Sequence, residues 1–498
     1  MATVTPELSK NLINGKWVES TGRQTMPSMN PATGEVLGHV PKSESADVVA
    51  AIEAAKAAFE KWRKYPAPRR AEILFHAAEL LVEEKENLAR LMTQEMGKVL
   101  AETRGDVQEA IDMTYFIAGE GRRLRGYTTP SEMPNKAAYC IRVPVGVVGV
   151  ITPWNFPMAI PSWKIIPALI CGNTVVFKPA TYTPLVGLRF AQILQEAGLP
   201  PGVLNVVTGS GGAVGDALVE HRDVAIISFT GSTETGLGIA QKCGRAGKRV
   251  SLEMGGKNAA IVMEDADLDL ATDALIWSAF GTSGQRCTAC SRIIAHSPVR
   301  AALTDRLVER ARQLRLGDGL DPKTDVGPVV SDTQLERVHG YVEVGQKEGA
   351  RLLVGGRRTA QGTLARGSFY APTFFDNVQP SMRIAQEEIF GPVTSIIEAK
   401  SFEDAVAILN SVEYGLSASI FTRDVNKAMR AVDDLFTGIV YINHGTIGAE
   451  VHLPFGGTKN TGNGHREGGL QVLDVFSEWK SVYIDYSGHL QRAQIDKD

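Results

Sequence analysis

The sequence predicts an α/β protein, on three observations. Between residues 145 and 252, buried apolar runs alternate with helical stretches, a rhythm that gives a parallel sheet with helices on both faces. A second unit of the same rhythm begins after Lys257. The tail, Val482–Tyr486, alternates like an edge strand. An exposed terminal strand invites aggregation unless it pairs, so this one is expected to complete a sheet in another subunit.

The chain opens on Leu12–Val18, where Asn14-Gly15 between apolar residues signals a hairpin. Val48, Ile52, Ala55, Phe59 and Trp62 recur at helical spacing. Ile73, Leu74, Ala77, Leu80, Leu81, Leu88 and Leu91 form a second apolar stripe. A third helix is expected from about Val107 to Ala118. It ends in the basic run Arg122–Gly126, which is either surface or turned toward an anion. Strands follow at 145–151, 174–178, 203–207, 224–229 and 249–252, with helices at 161–170, 184–197, 213–219 and 233–243. In the second unit, strands are expected at 258–263, 291–295, 394–399, 416–421 and 438–442. Its helices are expected at 268–280, 300–314, 402–412 and 425–435. The glycine-rich run Phe455–Gly469 is either a loop near a site or a flexible surface turn.

Composition narrows the class. The 498 residues are 44% hydrophobic and 22% charged, with a formal net charge of -4. That is an ordinary globular balance with room for two or three domains, and it excludes a nucleic-acid surface or a basic membrane patch. No apolar run is long enough to span a bilayer. Five scattered cysteines and a start, Met1–Glu7, without an apolar signal core predict reduced thiols in the cytoplasm.

The chemistry concentrates in Gly281–Ser291. A cysteine is most often a small buried hydrophobe. Cys287, however, follows a Gly- and Ser-rich turn after the apolar run Ala274–Phe280, and Arg286 beside it would favour a thiolate, the nucleophilic form. Cys290 makes the pair read also as C-x-x-C. Zinc needs two further ligands, and only His296 is near, on an expected strand.

Ligands on parallel sheets bind beyond the carboxyl ends of the strands. Those positions hold Thr152–Pro157, Lys178–Thr181, Gly209–Gly215, Thr230–Gly236 and Glu253–Lys257. A lysine, two glycine-rich turns and a helix start at Ser232 can together hold a nucleotide diphosphate. Gly209–Gly215 alone is a weak signal, because its spacing departs from the dinucleotide fingerprint. Glu253 alone is equally weak, since a glutamate at a strand end is usually just exposed.

Taken together, seven motifs carry a resemblance. Pro153–Pro157, Lys178-Pro-Ala, Phe229–Glu234, Leu252–Lys257, Gly284–Cys287, Glu387–Pro392 and Pro454–Gly457 occur in the order found in the NAD(P)-dependent aldehyde dehydrogenase superfamily. The chain resembles that family over nearly its whole length. The resemblance implies the aldehyde dehydrogenase fold. A Rossmann-like cofactor domain would comprise residues 1–125 and 145–255, an α/β catalytic domain 256–470, and a small β oligomerisation arm 126–144 and 471–498. It also implies a homodimer or homotetramer and a small-molecule aldehyde substrate, with no nucleic acid, membrane or metal.

Roles carry over position by position. Cys287 matches the nucleophile that forms a thiohemiacetal and then a thioester. Asn155 matches the oxyanion-hole amide, acting with the Cys287 N–H. Glu253 matches the base that activates water for hydrolysis, and its presence favours a free acid over acyl transfer to coenzyme A. Lys164 is expected to assist electrostatically. Glu467 matches a proton-relay glutamate, although His465 is an extra residue in that motif. Lys178 matches the lysine on the adenosine ribose and Glu388 the glutamate on the nicotinamide ribose. Thr152, Trp154, Asn155, Gly211, Phe229, Gly231, Ser232, Met254 and Phe390 are expected along the cofactor groove. Thr181 stands where NAD-preferring members often carry a glutamate; without that charge a 2′-phosphate is not repelled, so NADP is expected alongside NAD.

For the substrate, Arg286, Phe156, Trp163 and Phe455 are the expected contacts. Arg286 either braces its own loop or holds an anion at the far end of a short aldehyde. The stretches Asn443–Pro454 and Gly462–Glu467 are similar to bacterial α-ketoglutaric semialdehyde (2,5-dioxopentanoate) dehydrogenases. The alternatives are a non-phosphorylating glyceraldehyde-3-phosphate dehydrogenase and a broad-specificity aldehyde dehydrogenase. A non-catalytic binding protein and a cofactor-free cysteine hydrolase are the contrasting classes.

Overall fold

The computed structural model describes residues 10–492 and residue 494. The reading of Met1–Glu7 lies outside them, as does the end of the tail. Two seven-stranded sheets, both mostly parallel, form the frame, as the alternation predicts.

The first sheet runs in the order Arg249–Glu253, Val224–Thr230, Val147–Ile151, Thr174–Lys178, Leu204–Val206, Asn11–Ile13, Lys16–Val18. Its first five strands are parallel. The predicted hairpin then adds two antiparallel strands at the edge, turning on Asn14 and Gly15, both at positive φ. The second sheet runs Arg351–Val354, Thr373–Asp376, Val393–Ala399, Arg292–His296, Ala259–Val262, Ser417–Phe421, Ile439–Ile442. The chain crosses from one sheet to the other over Met254–Asn258. Side chains in the central strands are buried on both faces, which is why these strands read as unbroken apolar runs.

The elements differ from expectation in four places. The second stripe is two helices, Ala67–Glu83 and Lys85–Met96, hinged at Glu84. The next helix begins at Leu100 rather than Val107, after Gly97 closes the previous one at φ +95. Helix Asp332–Lys347 and strands Arg351–Val354 and Thr373–Asp376 were not expected. In that helix the buried Leu335, Val338 and Val342 are diluted by charged residues. The glycine turn Gly211–Gly215 is a wide helical turn, and regular helix starts only at Asp216.

The tail strand has a partner in its own chain. Ser477–Asp485 pairs antiparallel with Lys136–Pro144 of its own chain, and Tyr127–Pro130 closes the other side of a three-stranded sheet. The outer edge of Ser477–Asp485 pairs with nothing among the described residues.

Candidate functional site

Cys287 is held by a strained turn. After helix Leu268–Phe280, Thr282, Ser283 and Gly284 take φ of 55°, 55° and 68°, all left-handed. Two side chains off Gly are costly there, so the surroundings must hold the turn. The Thr282 N–H donates to both Glu102 oxygens at 2.9 Å, and the Ser283 hydroxyl donates to the Gly327 carbonyl at 2.7 Å. At Gly284 a Cβ would stand 2.2 Å from the Gly391 carbonyl oxygen. Gln285 fixes the exit, its side chain accepting from the Val330 N–H at 2.9 Å.

Arg286 does not play the part its position suggests. Its guanidinium pairs with Glu102 at 2.9 Å, and Nε donates to the Thr282 hydroxyl at 2.9 Å. The charge is engaged, and the Cys287 thiol is not lowered. Burial, with the Glu388, Glu253 and Glu109 carboxylates, pushes it up to about 12, against a backbone hydrogen bond from Thr288. The resting group is therefore a thiol, and attack requires a proton acceptor. The Asn155 amide donates to the Gln285 carbonyl at 3.0 Å, while its own buried oxygen has no partner among the described residues.

Glu253 ends the edge strand of the first sheet and is buried. The glycine-rich run is wrapped onto it. Gly462 bridges to Glu253, the Met254 N–H donates to the Thr461 carbonyl at 2.6 Å, and Asn463 accepts from the Leu252 N–H at 3.0 Å. A Cβ on Gly456 would stand 2.6 Å from the Glu253 carboxylate, so glycine is what lets the run close over it. One Glu253 oxygen is buried without a partner among the described residues. Burial and the Glu467 carboxylate raise its pKa well above the ordinary carboxylate range; Lys164 and Arg466 act the other way. Glu467 pairs with the buried Lys164, which also donates to the Ser228 hydroxyl at 3.3 Å. The extra His465 therefore does not displace Glu467 from the site.

Two cavities meet at Cys287. The first is a cleft of about 300 Å³ beyond the carboxyl ends of the first sheet. Thr152, Trp154, Asn155, Phe229, Gly231, Ser232, Met254, Glu388 and Phe390, the residues expected along one groove, all line it. Trp154 stands edge-on to Phe390 at 5.3 Å. Phe390 is itself left-handed at φ 60°, and its carbonyl accepts from Gln334 at 2.7 Å. Glu388 accepts from the Gly256 N–H at 2.9 Å, and its carbonyl accepts from Arg337 at 3.0 Å. Helix Asp332–Lys347 thus orders this wall, a role that nothing in its own residues announces. Lys178, Thr181 and Gly211 do not line the cleft. They cluster past the next strands, where the Thr181 hydroxyl donates to the Gly209 carbonyl at 3.3 Å. Burial lowers the Lys178 ammonium to about 8.

The second cavity, about 120 Å³, lies on the other side of Cys287. It brings together Arg286, Phe156, Trp163, Phe455, Glu253 and Glu467, with Trp163 edge-on to Phe455 at 5.4 Å. Of its titratable members, the one not expected is Glu109 of helix Leu100–Ala118. One acid of four on a helix carries no local signal that sets it apart from Glu102, Asp106 and Asp112.

Known proteins match the chain over most of its length. A profile of the aldehyde dehydrogenase family matches residues 17–482. The chain belongs to the aldehyde dehydrogenase family. An alpha-ketoglutaric semialdehyde dehydrogenase of Bacillus subtilis is 42% identical over 475 residues, covering 95% of this chain and 97% of that protein. Malonate-semialdehyde dehydrogenase 3 of Geobacillus kaustophilus is 43% identical over 479 residues, 96% of this chain and 98% of that one. A betaine aldehyde dehydrogenase of Staphylococcus aureus, solved with NAD+, superposes with a TM-score of 0.95 at 35% identity, over 98% of this chain and 97% of that one. This aldehyde dehydrogenase is thus an NAD(P)-dependent oxidoreductase acting on an aldehyde. None of its helices is long and apolar enough to cross a membrane among the described residues.

Proposed function

We propose that this aldehyde dehydrogenase oxidises a short semialdehyde bearing a carboxylate, α-ketoglutaric semialdehyde first, to the free acid. The observation that carries the reading is that Cys287 lines both the cofactor cleft and a small pocket holding Arg286 and Glu253. The names of the relatives support the substrate class, since alpha-ketoglutaric and malonate semialdehydes both carry a carboxylate.

The residues then divide the work. The cleft fits the cofactor. The Thr230 hydroxyl is buried without a partner beside it among the described residues, Ser232 caps helix Thr233–Arg245, and a Cβ on Gly255 would stand 2.6 Å from Glu388. Glu388, Phe390, Trp154, Ser232 and Met254 would hold it there, with Lys178, Thr181 and Gly211 toward its far end. When bound, NAD(P)+ supplies the hydride acceptor. Cys287 passes its proton on and attacks the carbonyl carbon. Asn155 and the Cys287 N–H hold the resulting oxyanion. Glu253 takes a proton from water so that it can cleave the thioester, and Glu467 with Lys164 relays that proton. Thr181 presents no negative charge to a 2′-phosphate, which supports NADP beside NAD.

The segments 1–125 and 145–255 serve the cofactor, 256–470 the chemistry, and 126–144 with 471–498 the assembly of a homodimer or homotetramer. Five unpaired thiols support a reducing compartment, the cytoplasm.

The test is NAD(P)H formation by purified protein, with each nucleotide and four aldehydes: α-ketoglutaric semialdehyde, succinic semialdehyde, glyceraldehyde-3-phosphate and propanal. Preference for the two carboxylated semialdehydes, lost in Cys287→Ala, is expected. Equal turnover of propanal defeats the substrate reading, and preference for the phosphorylated aldehyde replaces it with the alternative.

A further inference from the structure

Behind the small pocket lies a cluster of five charged side chains. Phe156 forms the wall between, with the Lys98 ammonium 3.6 Å from its ring centre and the Arg286 guanidinium 5.3 Å from it. Lys98 pairs with Asp106 at 2.6 Å, both fully buried, and Arg286 pairs with Glu102 at 2.9 Å. Asp106 also accepts from the Ala159 N–H at 2.8 Å, which ties the cluster to the helix after Phe156. Two cations and two anions are therefore satisfied within the cluster. The fifth group, Glu109, lies one helical turn beyond Asp106 and lines the pocket with Cys287 and Arg286. Its carboxyl joins no hydrogen bond or ion pair among the described residues, and Arg286 makes none through Nη1.

We infer that Glu109 acts as a neutral carboxylic acid that donates a hydrogen bond to the carboxylate at the far end of the substrate, so that its proton decides whether an anionic aldehyde is admitted. The inference rests on the proposed carboxylated substrate. With Glu109 neutral, the cluster carries no net charge, and an incoming carboxylate meets one O–H and the free Nη1 of Arg286. An O–H···O⁻ bond of this kind is short and strong. With Glu109 ionised, the same carboxylate meets a like charge in a narrow site, and two carboxylates so placed cannot both stay ionised.

The surroundings favour the neutral form near neutrality. Burial and the Asp106 carboxylate, with a smaller push from Asp112, raise Glu109 to about 8, while Lys98 and Arg286 pull it down. From the facing elements, Cys287 and Tyr441 of strand Ile439–Ile442 both feel its charge, and Glu450 adds to that on Tyr441. Glu253 and Glu467 line the same pocket.

The experiment measures kcat/KM for succinic semialdehyde and for propanal from about pH 6 to about pH 10, and follows the ratio of the two. Ionisations of Cys287, Glu253 and the cofactor site act on both substrates and cancel. In the wild type the ratio is expected to stay level up to about pH 8 and then fall about tenfold per pH unit. Glu109→Gln, which keeps a neutral donor, is expected to hold the ratio level throughout. Glu109→Leu is expected to give a ratio that is also level but lower at every pH. A wild-type ratio without a pH dependence overturns the inference, and so does a fall that persists in Glu109→Gln. The wild-type profile needs no variant to fold. A ratio near one even at the acid end defeats instead the carboxylated-substrate reading. If 4-aminobutanal is the better substrate, and improves with pH, Glu109 is an ionised anchor for cations and both readings fall.

Discussion

Glu253 must be ionised to take a proton from water, and its surroundings oppose that. Burial comes first and Glu467 second, so its folded pKa lies above the ordinary carboxylate range. Hydrolysis of the thioester is therefore expected to rise with pH over a range above that of an exposed glutamate. In Glu253→Gln the first-turnover burst of NAD(P)H is expected to survive in stopped-flow traces. Steady turnover is expected to drop by roughly 100- to 10,000-fold and to lose that rising limb. A variant with full steady turnover would remove Glu253 from the base's role. Glu253, Asn155 and Cys287 were placed in the sequence because each follows a strand or turn that the sequence also marks, while their roles, and the place of Glu388, came from the family motifs. Glu109 was illegible because nothing local separates it from other acids of its helix. The effect of Arg286 on Cys287 was misread for a related reason. Its partner, Glu102, is remote in sequence, and adjacency to Cys287 does not reveal a charge already engaged elsewhere.

At the scale of elements, the turn before Cys287 is the part most exposed to small changes. Gly284→Ala adds a methyl at φ 68°, 2.2 Å from the Gly391 carbonyl oxygen. The backbone strain alone is of order 1–3 kcal/mol. A lower melting temperature and a loss of turnover larger than the loss of cofactor binding are expected, read by thermal melts and by fluorescence titration. An unchanged melt and rate would mean that the turn is not held as tightly as its contacts imply. The central strands were legible as apolar runs between turn signals. Helix Asp332–Lys347 was not, because its three buried aliphatic residues are spread through a charged stretch. Its role in holding Glu388 and Phe390 shows only in the hydrogen bonds of Arg337 and Gln334.

Across the whole molecule, the three-stranded sheet is the surface that looks unfinished. Tyr127, Trp479, Tyr483 and Ile484 are exposed on it, and the edge of Ser477–Asp485 is open among the described residues. The double variant Trp479→Asp, Tyr483→Asp is expected to lower the sedimenting mass to that of a smaller assembly while leaving far-ultraviolet circular dichroism intact. An unchanged mass would take assembly away from this sheet. The strand itself was legible from its alternation. Its partner within the same chain was not, because a strand pattern specifies a face and not a neighbour.

The grip of Glu102 on Thr282 and Arg286 also orders events in time. A ribosome delivers the carboxylate 180 residues before the turn it clamps. Until the helix Leu100–Ala118 is docked, the three left-handed residues ahead of Cys287 lack the Glu102 clamp and keep only the Ser283–Gly327 and Gln285–Val330 hydrogen bonds. A fragment carrying residues 256–470 alone would thus contain Cys287 without the clamp that aims it. Adding back a separately made piece that contains helix Leu100–Ala118 is the natural route to reactivity by complementation. Such long-range closure is entropically slow, so reactivity toward a thiol reagent during refolding should change late, after most helical signal has returned.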